Sequence, residues 1–73
     1  MPRSPSNIDK VIGLRLRERR TDLNISQSAL GAAIGVSYQQ VQKYERGKSR
    51  IAASRLYHIS YELQMPMDYF FRV

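Results

Sequence analysis

Apolar residues in this chain recur at spacings of three and four, in blocks separated by asparagine, glycine or proline. That period belongs to helices that bury one stripe. The first block predicts a helix over residues 8–22, with Ile8, Val11, Ile12, Leu16 and Leu23 near one face and Arg15, Arg17 and Arg19 on the others. Asn7 is the expected cap, Asp9 suits the first turn, and Asn24 suits the stop. The second block predicts a helix over residues 27–34, capped by Ser26, with Leu30, Ala33 and Ile34 facing inward. Gly31 inside it costs roughly 1 kcal/mol against alanine, which reads as a packing choice that lets the next helix come close. Gly35 permits the left-handed turn that ends this helix, and Val36 plugs the turn into the core.

The third block predicts a helix over residues 38–45, capped by Ser37 and closed by Gly47. Val41 and Tyr44 form its inward stripe. A fourth helix is expected over residues 53–63, burying Leu56, Ile59, Ser60 and Leu63. Beyond Pro66 a short fifth helix is expected over about residues 67–71. Met67 and Phe70 are expected to close the core, while Tyr69 and Phe71 are candidates for a dimer contact, since aromatics exposed near a chain end often mark one. Nothing alternates with the period of a strand. The expected fold is all-α: a compact five-helix bundle over residues 8–73, preceded by a flexible arm at residues 1–7 in which Arg3 could reach a DNA groove or backbone.

Composition narrows the picture. Seventy-three residues make one small domain, and a hydrophobic share of 42% suits a packed core. No apolar run approaches the ~18 residues a membrane span requires, and the opening residues lack a signal-peptide core. The chain has no cysteine, so disulfides and thiolate chemistry are excluded and a reducing cytoplasm fits. Net charge is +6. Residues 1–24 carry six basic and three acidic side chains, residues 25–50 four and one, and residues 51–73 two of each. The excess therefore lies in the first two thirds, as suits a polyanionic partner.

Candidate chemistry points the same way. With Val41 and Tyr44 inside, the third predicted helix leaves Tyr38, Gln39, Gln42 and Lys43 outside, and Gln40 and Arg46 on the flanks. A glutamine amide donates and accepts at once, which suits a base edge better than a core or a reaction. The following segment, Gly47-Lys48-Ser49-Arg50, is short, basic and rich in donors suited to phosphate. Two serine-capped helices around a glycine turn, the second presenting amides, form the pattern of a helix-turn-helix with a recognition helix. Enzyme chemistry is poorly served. His58 stands alone in mid-helix with no obvious partner. Asp9, Glu18, Asp22, Glu45, Glu62 and Asp68 are scattered, and neither metal-ligand spacing nor a glycine-rich phosphate loop occurs. No catalytic residue, metal or cofactor is expected.

These residues carry a resemblance. Ile-Gly-Leu-Arg-Leu-Arg at 12–17, Ile-Ser-Gln at 25–27, Ala-Ile-Gly-Val-Ser at 33–37, Tyr-Glu-Arg-Gly-Lys at 44–48 and Met-Asp-Tyr-Phe-Phe at 67–71 resemble the Cro and phage-repressor class of helix-turn-helix domain, also called the xenobiotic-response-element type. The resemblance implies a five-helix bundle that binds double-stranded DNA, usually as a homodimer on a two-fold operator, to regulate transcription in the cytoplasm at the nucleoid. It implies that Tyr38, Gln39, Gln42 and Lys43 meet base edges. Gln27 would touch phosphate and brace the first reading side chains. Gln40 would reach base or backbone, and Arg46, Lys48, Ser49 and Arg50 would hold phosphate. Arg20 and Glu45 would form a structural ion pair. Two departures stand out: Ile51-Ala52-Ala53 replaces the proline many relatives carry where the fourth helix starts, and Tyr38 is large for the first reading position. The same fold also serves antitoxins that neutralise a partner protein and repress their own operon, and controllers of restriction–modification or phage loci.

Overall fold

The computed structural model describes residues 5–72, and it is all-helical. Four α-helices follow one another: α1 (Pro5–Asp22), α2 (Gln27–Ile34), α3 (Tyr38–Glu45) and α4 (Ala53–Glu62). The expected fifth helix is a 3-10 helix, Met67–Phe71. The run lies between Pro66 and Arg72, both in extended backbone, and five residues are too few to propagate an α-helix. Residues 1–4 of the expected arm, Arg3 included, lie outside the described residues. Helix α1 begins at Pro5, ahead of the expected start, so Asn7 stands inside it rather than at its cap. Proline costs nothing at a first helical position, where its missing N–H has no partner to lose.

All four α-helices end by one device. A residue in the left-handed conformation follows each: Asn24 (φ 57°), Gly35 (φ 79°), Gly47 (φ 67°) and Gln64 (φ 56°). The next N–H then reaches back five residues, from Ile25 to Arg20, Val36 to Gly31, Lys48 to Lys43 and Met65 to Ser60, at 2.9–3.0 Å. Each chain reversal thereby satisfies carbonyls the helix end leaves unpaired. Gly35 makes the reversal without steric penalty, whereas Gln64 bears a strained conformation. The Arg19 side chain secures that corner by donating to the Leu63 carbonyl at 2.9 Å.

The core is one cluster. Leu16, Leu30, Val41, Ile59, Leu63 and Phe70 are fully buried, with Ile12, Ile34, Tyr44, Leu56 and Tyr69 around them. Helix α1 packs on α3 and on the 3-10 helix, and α2 packs on α3 and α4. The expected inward faces hold for α3 and α4 and are corrected twice elsewhere. Ile8 is exposed, because it belongs to the turn of α1 that runs past the end of α3, where Gly47 meets Lys10. Ala33 is exposed too. The buried arc of α2 passes through Leu30, Ile34 and Gly31, and Ala33 lies about a hundred degrees from its centre.

Two close approaches hold α3 in place. A β-carbon on Gly31 would lie 2.6 Å from the Val36 carbonyl oxygen, which supports the reading of that glycine as a packing choice. A β-carbon on Gly13 would lie 2.3 Å from the carbonyl oxygen of Tyr44 and 2.7 Å from that of Glu45. Helix α1 thus touches the backbone of α3 directly.

Candidate nucleic-acid interface

Helices α2 and α3 are built alike. Ser26 Oγ accepts the Ala29 N–H at 3.0 Å, and Ser37 Oγ accepts the Gln40 N–H at 3.1 Å. Both serines hold extended backbone, as an N-cap requires. The far end of α2 has a cap that sequence reasoning missed: Arg55 donates from α4 to the Ile34 carbonyl. Its only sequence signal was a cation early in α4. The tight turn between α2 and α3 is therefore closed on both sides.

With Val41, Tyr44 and Glu45 buried, α3 shows one outward arc. Tyr38, Gln39 and Lys43 are exposed on it, Gln42 is half-buried within it, and Arg46 continues it beyond the helix. On a 100° helical step these five positions span about 140°. Gln40 falls some 60° outside that arc, on the flank toward Tyr44. There its Nε2 donates to Ser49 Oγ at 3.1 Å. The structure thus brings Tyr38, Gln39, Gln42 and Lys43 onto one surface and sets Gln40 apart.

Behind the arc lies a polar cleft of about 260 Å³ lined by Arg17, Arg20, Gln27, Gln42, Glu45 and Arg46. Glu45 organises it. Its side chain is only 4% exposed, and it faces Arg20 at 2.5 Å and 3.1 Å. Arg20 also donates to the Ile25 carbonyl at 2.8 Å. Gln27 Nε2 donates to Glu45 Oε1 at 3.0 Å. A carboxylate only accepts, so the Gln27 amide must turn its nitrogen toward Glu45. Gln27 is thereby braced by the ion pair. No buried side-chain nitrogen or oxygen among the described residues lacks a partner.

The segment after α3 presents Lys48 and Arg50 exposed, with Ser49 half-buried. Arg50 approaches Asp9 at 3.9 Å, so Asp9 faces this loop rather than serving a first helical turn. Tyr69, one of the two residues expected at a dimer contact, is buried. Its ring meets that of Phe70 edge-on at 5.1 Å, and its hydroxyl donates to Glu18 Oε1 at 3.1 Å. Packing of the 3-10 helix on α1 turns this side chain inward, which leaves Phe71 as the exposed member of the pair. His58, expected without a partner, lies 3.5 Å from Glu62 one helical turn on. Among the described residues no group of three or more metal-ligating side chains comes together, and no helix is long and apolar enough to cross a membrane.

Comparison with known proteins supplies a context for this surface. The helix-turn-helix family model matches residues 16–70. A relative from Rhodospirillum rubrum, described as an uncharacterized transcriptional regulator in the ATPase CF(0) region, is 54% identical over 69 residues. The match takes in 94% of this chain and 64% of that protein. The chain spans about half the length of similar regulators from Sinorhizobium medicae and Sinorhizobium fredii. Among solved structures, the restriction-modification controller protein of Aeromonas hydrophila superposes with a TM-score of 0.86 at 25% identity, covering 94% of this chain and all of that one. The c2 repressor of phage P22, solved in complex with a synthetic operator, gives a TM-score of 0.78 at 36% identity, covering 84% and 92% of the two chains.

Proposed function

This chain belongs to the helix-turn-helix family, in its Cro and phage-repressor class, and from that premise we propose that it is a transcription regulator that reads double-stranded DNA with α3. The observation that carries this reading is the outward arc of Tyr38, Gln39, Gln42 and Lys43 on a helix capped at its start and pinned by buried contacts. A rigid helix whose free side chains are amides, an ammonium and a phenol suits the donor and acceptor pattern of the major groove. Gln39 and Gln42 favour adenine N6 and N7, Lys43 favours guanine O6 and N7, and each good bidentate pair discriminates by about 1–3 kcal/mol. Tyr38 offers a face for stacking or for a thymine methyl. Arg46, Lys48, Ser49 and Arg50 face the sugar–phosphate backbone and set the register, and the second N–H of the Gln27 amide is left to donate to a phosphate.

We further propose that the protein acts as a homodimer on a two-fold operator, with half-sites about 34 Å apart. Phe71, with Tyr57 and Tyr61 on the open side of α4, supplies exposed apolar surface for that pairing. Control of a restriction–modification or phage locus is a second reading, favoured by the two structural neighbours. The experiment is selection of bound sequences from a random duplex pool, with the stoichiometry of the complex measured. Palindromic sequences bound by two chains are expected. In the same assay Gln39→Ala should relax base preference, while Lys48→Ala should weaken all sequences alike and flatten the dependence on salt. An unchanged preference in Gln39→Ala would remove the base-reading role from α3.

A further inference from the structure

We infer that Gln40 is a positioning residue that aims the Ser49 hydroxyl at a DNA phosphate, and that it reads no base. The inference rests on the DNA-binding role of α3 proposed above. Three observations carry it. Gln40 lies outside the reading arc and is half-buried, so its amide is not presented with Gln39 and Gln42. Its Nε2 spans nine residues to Ser49 Oγ at 3.1 Å. Finally, among the described residues the loop has other anchors at both ends and no other hydrogen bond at the Ser49 side chain. At its start Gly47 packs on Lys10 and the Lys48 N–H bonds the Lys43 carbonyl at 2.9 Å. At its end Arg50 reaches Asp9 at 3.9 Å.

The direction of the hydrogen bond decides what Ser49 can do. A hydroxyl owns one proton and accepts through its lone pairs. Having accepted from the amide of Gln40, Ser49 keeps its own O–H to donate outward, beside the exposed ammonium of Lys48. A donor already polarised by an amide and next to a cation suits a phosphate oxygen. Holding the loop in place before binding also removes an ordering cost that binding would otherwise carry. Gln40 and Ser49 thus form one unit: amide to hydroxyl to phosphate.

The test measures binding of the unsubstituted chain, Gln40→Met, Ser49→Ala and the double variant to a duplex selected from a random pool and to a scrambled duplex. Methionine keeps the length of glutamine and removes its donor. Each single change should weaken binding to both duplexes by about three- to tenfold, the worth of one hydrogen bond, leaving the ratio between duplexes unchanged. The double variant should bind no more weakly than the weaker single one, because both changes break the same relay. Ser49→Thr, which keeps the hydroxyl, should bind as the unsubstituted chain does. Thermal unfolding should not move with affinity across the series. Losses that multiply in the double variant, an altered ratio in Gln40→Met, or a melting temperature that falls in step with affinity would each overturn the inference. Failure of the unsubstituted chain to bind either duplex would instead remove the DNA reading on which it stands.

Discussion

Helix α1 carries two arginine–glutamate pairs, and they do different work. Arg20 meets Glu45 of α3 with side-chain exposures of 11% and 4%. Arg15 meets Glu18 three residues along its own helix, with exposures of 30% and 53%. Both are bonded at short distance, so chemistry does not separate them. Burial does. The Arg20–Glu45 pair has lost most of its water and is completed by protein groups: the Gln27 amide donates to Glu45, and the Ile25 carbonyl accepts from Arg20. It sets where α3 sits and how Gln27 is turned. The outer pair remains hydrated and acts through a neighbour: Glu18 takes the Tyr69 hydroxyl, Arg15 donates to the Arg72 carbonyl at 3.0 Å, and the Arg15 and Arg72 guanidiniums both stand 5.9 Å from the Tyr69 ring. One pair fixes the end of the molecule that carries the proposed reading surface; the other clips the C-terminal 3-10 helix to α1.

The comparison breaks most readily at Glu45. Glu45→Ala leaves Arg20 buried without its partner, and a loss of about 3–5 kcal/mol is expected in denaturant unfolding. For so small a domain that approaches the whole stability. Replacing Arg20 and Glu45 together by apolar residues of similar volume should recover most of the loss while DNA binding stays impaired, because Gln27 then has nothing to orient it. Stability that stayed lost in the double replacement would show that the ion pair contributes more than the desolvation it requires.

Next in size is Gly13→Ala. The added methyl meets the Tyr44 and Glu45 carbonyls, so α1 must move off α3. A cost of about 1–3 kcal/mol is expected from thermal unfolding, the range of an overpacked core. If it proves much cheaper, the two helices are less tightly fixed than the buried pair beside them implies.

The smallest effect belongs to the outer pair and shows as a dependence on pH. Burial first, and then the hydrogen bond to the Glu18 carboxylate, hold the Tyr69 pKa above its ordinary value of 10.0. The same contact acts oppositely on Glu18, whose pKa is lowered chiefly by its bond to Arg15 and next by Tyr69. The unfolded chain releases the tyrosine proton first. The stability tied to neutral Tyr69 is therefore present below pH 10 and lost as pH rises through the folded value. Unfolding measured across the alkaline range should show this fall in the native chain. It should be absent in Tyr69→Phe, and an identical alkaline profile in that variant would assign the fall to another group.

What could be read along the chain, and what could not, divides by distance in sequence. The spans of α2 and α3, the serine caps at Ser26 and Ser37, the helix stops at Asn24, Gly35 and Gly47, and the outward arc of α3 all depend on residues within about five positions of one another. Hydrogen bonding and helical periodicity act over that range, so the amino-acid order alone determined them. The Arg20–Glu45 pair, 25 residues apart, was reached only through family resemblance. Tertiary structure decided the rest. It paired Gln27 with Glu45 and Gln40 with Ser49, turned Tyr69 inward, made Gly13 a contact point, and forced Gln64 into a conformation its side chain disfavours. None of these has a local signature, because a polar side chain takes whichever partner the packed helices bring within 3 Å. The sequence by itself determined a helix-turn-helix with an amide-rich outer face. Which of those amides are free to meet a ligand, and which are bound to the scaffold, was decided only when α1 and the loop after α3 closed around α3.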